Sequence, residues 1–289
     1  NKLLSFSDQG AIFLFGDDFS EHFFAFKVLP TIIFFSALSA ILFHWRIIQK
    51  LVQVLALVMK KTMGISGTES LVAAANVFCG QTESPLLIRP YIASMTRSEI
   101  MTMMTSGMAT VAGGVMAAYV GFGISAGRLL AASLMSAPAA VVIAKIMYPE
   151  NEKSQTFGNV ELELNSDAQS TFEAACNGAT DGLRLALNVG AMLIAFIALI
   201  GLANELVARM SGLFGYGYNL EQLVGMIFQP FAWLMGIASK DTAAIGELLG
   251  KKMIINEFVA FMGLSEQIKE AAISPKSATI ATYALCGFA

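Results

Sequence analysis

From Leu185 to Asn204 the chain carries no Asp, Glu, Lys or Arg. As a helix this run is about 30 Å long, the thickness of a bilayer's hydrocarbon core. Val28 to Trp45, Met101 to Gly127 and Leu129 to Ala144 are uncharged in the same way. Only 13% of the 289 residues are charged and 56% are hydrophobic, against roughly 25% charged in soluble domains. A water-soluble fold cannot hide that much apolar surface, whereas a bilayer accepts it on the outside. These runs imply an all-α polytopic membrane protein in contact with lipid. The net charge of −3 gives no basic surface for nucleic acid. Cys79, Cys176 and Cys286 are scattered through mostly apolar stretches and read as buried free thiols rather than metal ligands.

Other apolar segments are interrupted. Ser66 to Arg89 holds Gly67, Glu69, Gly80, Glu83 and Pro85, and Phe228 to Ile245 holds Pro230, Gly236, Lys240 and Asp241. One interrupted segment in each half is the sequence mark of a transporter whose site is built from broken or re-entrant helices. Ile47 to Lys61 reads as an interfacial amphipathic helix with a basic end. The polar stretch from Tyr148 to Ser170 separates two halves of similar layout, which implies an internal repeat of architecture.

A carboxylate at membrane depth costs about 2.5–3.5 kcal/mol, so it sits in a polar cavity or is paired. Glu69, Glu83, Asp241 and Glu257 lie in apolar surroundings, and Arg89, Lys145 and Lys252 lie in or near similar ones. In Gly80-Gln81-Thr82-Glu83-Ser84-Pro85, glycine lets the backbone turn and approach a ligand. Gln81, Thr82 and Glu83 supply donors and acceptors, and proline disfavours a helical residue before it. This suits the tip of a re-entrant hairpin; the alternative is a short polar loop at the membrane surface. Met253, Glu257 and Phe261 share one face at helical spacing, so Glu257 either faces a cavity or pairs with Lys251 or Lys252. Ser106 to Gly114 is rich in small residues. It permits close helix packing, or it unwinds, so that the carbonyls near Thr110 and Val111, the Thr110 hydroxyl and Asn76 offer oxygen to a small cation. No nucleophilic triad, zinc motif or Walker loop occurs.

Gly80-Gln81-Thr82-Glu83-Ser84-Pro85-Leu86, and Gly250 and Lys252 followed by Asn256-Glu257-Phe258-Val259-Ala260, resemble the two signatures of the concentrative nucleoside transporters. His22 to Pro30, Ala131 to Pro138, Pro149 to Lys153 and Ala281 to Ala289 resemble further blocks of that family, in order. The resemblance implies a sodium-driven symporter that imports a nucleoside such as uridine or adenosine. It implies a homotrimer in the plasma membrane, or in the inner membrane of a bacterium. Two re-entrant helical hairpins and broken transmembrane helices would form an inverted-repeat transport domain. That domain would move like an elevator against a scaffold domain. On this reading residues 1–61 form a scaffold helix and the interfacial helix, and 62–148 the first half of the transport domain. Residues 149–220 form a polar linker, an amphipathic helix and a scaffold span, and 221–289 the second half with hairpin two.

By resemblance, Gln81, Thr82, Glu83 and Val115 contact the nucleobase, Glu257 holds the ribose hydroxyls, and Phe288 lies near the sugar. Sodium lies near Asn76, Cys79 (carbonyl), Thr110 and Val111 (carbonyl), and no organic cofactor is implied. In the family an asparagine and a serine beyond the last block also bind ribose, and further spans precede the first. Asn1 and Ala289 both look like cut ends, so these are expected outside this stretch. Proton coupling through Glu83, a channel, and an intramembrane enzyme using Glu83 and Glu257 are the alternatives.

Overall fold

The computed structural model describes residues 2–16, 26, 28–81, 84–156, 168–212 and 219–287. Among them every regular element is a helix and none is a strand. The chain forms two compact units, one of residues 1–118 and 130–186, the other of residues 119–129 and 187–287.

In the first unit, α1 (Lys2–Phe15) is followed by α2 (Leu29–His44) and α3 (Ile47–Met63). The last two meet at a 74° bend, where Arg46 is in the left-handed region at φ 58°. α3 buries Gln49, Val52, Ala56 and Met59 on one stripe and exposes Leu51, Val54, Leu57 and Val58. Apolar residues on the outer face suit the interfacial position expected for Ile47 to Lys61.

Next comes α4 (Gly67–Asn76), opened by a capping box between Ser66 and Glu69 and buried along its whole length. Ten residues rise only about 15 Å, half of a bilayer core. The chain turns at 77–81 and returns in a 3₁₀ helix, Ser84–Ser94. A buried half-length helix that turns back is the hairpin expected for Ser66 to Arg89. α5 (Arg97–Ala109) and α6 (Gly113–Gly121) follow. The uncharged run from Met101 to Gly127 is therefore not one spanning helix. Thr110 adopts extended backbone, and Gly123 turns the chain at φ +99°.

α7 (Ala126–Met147) and α8 (Thr171–Gly212) continue from one unit into the other. α7, and α8 from Thr171 to Val207, are long and apolar enough to cross a membrane, as are α2 and α3 if the bent pair counts as one span. The first part of α8 lies tightly on α2. A Cβ at Gly178 would come 2.5 Å from the Ala40 Cβ, and one at Gly182 would come 2.7 Å from the Ser36 Cβ.

In the second unit α9 (Leu220–Leu234) packs along α10 (Thr242–Ile254), followed by α11 (Glu257–Lys269) and α12 (Pro275–Leu285). Glycines allow the close approach of α9 and α10: a Cβ on Gly246 would lie 2.7 Å from the Gly225 carbonyl. The interruption in Phe228 to Ile245 is the connection between these two helices. The sharp break comes later, at Ile255–Asn256, where α10 ends and Asn256 caps α11. Met253 and Glu257 consequently sit on different helices, and Met253 is exposed. Glu257 and Phe261 keep their common face on α11.

Each unit thus contains a helical hairpin, α4 with the 3₁₀ helix in one and α10 with α11 in the other, followed by a helix that ends in extended backbone, α5 at Thr110 and α12 at Cys286. The hairpin base is tied to the next helix in both. Thr68 donates to Glu99 (3.0 Å) and Thr102 to Glu69 (3.0 Å) in the first. The Ser274 amide (3.1 Å) and hydroxyl (2.8 Å) donate to Asp241 in the second. These parallels carry the internal repeat that residue identity does not reveal.

Candidate functional site

In the first unit the hairpin tip rests on the break between α5 and α6. Asn76 closes α4 and is fully buried. Its Nδ2 donates to Ser106 Oγ at 2.9 Å, and its Oδ1 accepts from Ser84 Oγ at 2.5 Å. The Thr110 hydroxyl donates to the Ser106 carbonyl at 3.0 Å. Two glycines let the segments touch: a Cβ on Gly107 would lie 3.1 Å from the Gln81 Cβ, and one on Gly113 would lie 3.1 Å from the Phe78 carbonyl. Thr110 leaves the helix in extended backbone, so the last carbonyls of α5 lose their intrahelical partners. Asn76, Cys79, Thr110 and Val111 are all buried.

The structure therefore brings the tip residues expected to hold a cation against the break that carries the others. These groups are neutral oxygens at the C-terminal ends of two half-helices, where the helix dipoles favour a cation. Gln81 lies at the same contact, partly exposed. Val115 is buried on the first turn of α6. Thr82, Glu83 and Phe288 lie outside the described residues.

In the second unit Glu257 opens α11, after Asn256 has capped the helix through Oδ1 on the Val259 amide at 3.0 Å. A helix N-terminus stabilises a carboxylate, which lowers the cost of placing one in a buried position. Tyr119 Oη donates to Glu257 Oε1 at 3.3 Å. The Tyr119 ring is fully buried, stacked on Phe261 with centroids 4.2 Å apart and edge-on to Phe258 at 5.4 Å. Of the two lysines expected near Glu257, Lys251 pairs with Glu247 at 2.9 Å. Lys252 donates to the carbonyls of Ala284 (3.4 Å) and Cys286 (3.3 Å), and its charge also acts on Glu257.

Of the remaining charges in apolar stretches, Arg89 is exposed, and several others have structural partners. Lys145 pairs with Glu69 at 2.6 Å. Glu99 accepts from Thr68, Thr156, Ser154 and the Thr96 amide. A cavity of about 620 Å³ at the base of α4 is lined by Ser66, Glu69, Lys145 and Glu150 among others. It lies at the opposite end of α4 from Asn76, and Lys145 in it already pairs with Glu69 and Glu150, so the hairpin tip is the better candidate. Asp241 accepts from the Ser274 amide and hydroxyl. Cys79 and Cys286 are buried, but Cys176 is exposed on α8.

Sequence reasoning missed Ser84, Ser106 and Tyr119. Ser84 stands in the hairpin signature, and Tyr119 is one turn after Val115. Ser106 stands one turn before Thr110.

Residues 128–289 match the family described as Na+ dependent nucleoside transporter C-terminus, and residues 25–126 match one described as nucleoside recognition. Over 99% of its length the chain is 43% identical to solute carrier family 28 member 3 of Rattus norvegicus, spanning 43% of that protein. It is 45% identical to the uncharacterized transporter YutK of Bacillus subtilis, spanning 72% of it. The structure of CNTnw in an inward-facing substrate-bound state matches with a TM-score of 0.92 and 38% identity, over 99% of this chain and 71% of that one. A doubly substituted variant of CNTnw in an outward-facing state matches with the same TM-score and identity.

Proposed function

We propose a function from one premise: the chain belongs to the concentrative, Na+ dependent nucleoside transporter family. It is the transport core of a secondary symporter that imports nucleosides on a sodium gradient, not of an enzyme. The observation that carries the ion is the contact of two broken helices, where Asn76, Ser106 and Thr110 form one hydrogen-bonded chain. A small hard cation suits neutral oxygens, and amides and hydroxyls do not titrate at physiological pH. The ion is co-substrate, held by Asn76, Thr110 and the carbonyls of Cys79 and Val111.

Gln81, Thr82, Glu83 and Val115 read the nucleobase. Glu257 accepts from the ribose hydroxyls, and Phe288 lies near the sugar. Binding of the ion at the tip stiffens the backbone that presents Gln81, so ion and nucleoside strengthen each other's binding by the same factor. Inward- and outward-facing states of a close structural relative support alternating access by an elevator-type movement. In that movement the hairpins travel with the transport domain (62–148 and 221–289) against the scaffold (1–61 and 149–220). The working form is a homotrimer in the plasma membrane, with the exposed apolar faces of α3 and α8 turned to lipid or to neighbouring subunits.

The test is labelled uridine uptake by proteoliposomes holding the complete protein, with and without an inward sodium gradient. Uptake should be saturable, require the gradient and deliver unchanged uridine. Uptake driven by a pH gradient alone would refute sodium coupling, non-saturable flux would indicate a channel, and altered uridine an enzyme.

A further inference from the structure

The two hairpin repeats differ at one decisive position. In the first, Asn76 ends the hairpin's leading helix and lies beside the C-terminal end of α5, where Thr110 is the extended C-cap. In the second, Lys252 stands in the last turn of the leading helix α10, and Cys286 is the extended C-cap of α12. Lys252 follows Asn76 by the same number of residues as Cys286 follows Thr110. The positions match in sequence offset: Asn76 and Lys252 both lie in the last turn of a leading helix, with Lys252 two residues before its end, and both C-caps are extended.

Their chemistry does not match. The end of α12 presents carbonyls with no helical successor, and the dipole gathers negative charge there. Lys252 Nζ reaches two of them, Ala284 and Cys286, at 3.4 and 3.3 Å, and its charge also acts on Glu257. Lys252 is itself only partly exposed. At the corresponding place in the first repeat, Asn76 brings an amide and no charge.

We propose that Lys252 is a resident cation: its ammonium fills in the second repeat the position that transported sodium fills in the first. This rests on the sodium reading of Asn76 and Thr110. A carrier with two equivalent half-helix ends would otherwise need two cations. Lysine supplies one covalently, so the second break is neutralised through the whole cycle and only the first responds to the gradient. Lys252 is thus a positioning residue that sets how many ions are coupled, holding the end of α12 beside Glu257.

The experiment is a titration of uridine Kd against sodium, with choline keeping ionic strength constant, on the complete protein in nanodiscs. Lys252→Gln keeps a donor for the carbonyls but removes the charge. Its uridine Kd should rise by about tenfold at low sodium and recover at high sodium. The slope of log Kd against log sodium should be steeper than wild type by about one ion. Lys252→Arg keeps the charge and should keep the wild-type slope. The wild-type slope by itself tests the sodium site at Asn76, while the difference between variant and wild type tests Lys252. Parallel slopes for Lys252→Gln and wild type, including two flat ones, would overturn the proposal. Equal loss of all binding in the Gln and Arg variants would also overturn it, because Lys252 would then act by shape.

Discussion

Tyr119→Phe removes one atom and should isolate one interaction. The ring stays stacked on Phe261 at 4.2 Å and edge-on to Phe258 at 5.4 Å, so packing is kept and only the hydroxyl that donates to Glu257 is lost. A hydrogen bond to a charged acceptor contributes about 1.5–3 kcal/mol. At 3.3 Å this one is longer than the usual 2.7–2.8 Å for an O–H donor, which places it at or below the lower limit. A loss of about 1.4 kcal/mol corresponds to a tenfold change in Kd. The carboxylate that should hold ribose would then lose an anchor fixing its rotamer. Uridine Kd, measured calorimetrically on the complete protein in sodium, should rise about tenfold. The Kd of a 2′,3′-dideoxy nucleoside, which lacks the 2′ and 3′ hydroxyls that would donate to Glu257, should move less than twofold. Thermal stability should fall by no more than that one hydrogen bond, whereas Tyr119→Leu, which destroys both ring contacts, should lower it further. Wild-type uridine affinity in Tyr119→Phe, or an equal loss for both nucleosides, would refute the role given to Tyr119.

Three further outcomes are expected. Lys145→Met leaves Glu69 buried without its cation and should cost up to about 3 kcal/mol, since Lys145 is itself a quarter exposed; the melting temperature should recover in part when Glu69→Gln is added. Gly182→Ala drives a Cβ to 2.7 Å from the Ser36 Cβ and 2.8 Å from the Ile33 Cα; overpacking costs about 1–3 kcal/mol, visible as a lower melting temperature of the extracted protein. Gln81→Leu keeps bulk but loses donor and acceptor, so uptake should collapse while the oligomer survives extraction, and normal uptake would make Gln81 purely structural.

What could be read from the residues depended on whether the signal was local. The first hairpin announced itself because glycine, proline and polar side chains crowd into an apolar run at Gly80 to Pro85. The break at Thr110 was open between packing and unwinding, since small residues serve both, and the contacts of Gly107 with Gln81 and Gly113 with Phe78 show that they do both. The interruption read in Phe228 to Ile245 is the connection between α9 and α10, turned at Gly236 while Pro230 stays inside α9; the sharper break at Ile255–Asn256 has no glycine or proline and is signalled only by the capping asparagine. Tyr119 and Lys252 were out of reach for a different reason. Their partners, Glu257 and the carbonyls of Ala284 and Cys286, are distant in sequence, and no spacing rule links a tyrosine in one helix to a carboxylate in another. Lys252 was seen as a possible ion-pair partner of Glu257, when its hydrogen bonds go to backbone.

Sodium coupling through Asn76 and Thr110 is tested most directly by linkage at equilibrium. Uridine Kd would be measured on the complete protein at fixed pH in sodium and in choline, for wild type and for Thr110→Val. Replacing sodium by choline should raise the wild-type Kd by at least about fivefold, within the usual range of coupling between sites. Thr110→Val, which loses the hydroxyl oxygen, should blunt that response. A wild-type Kd identical in sodium and choline but sensitive to pH would contradict the assignment and point to a proton carried by a carboxylate such as Glu83.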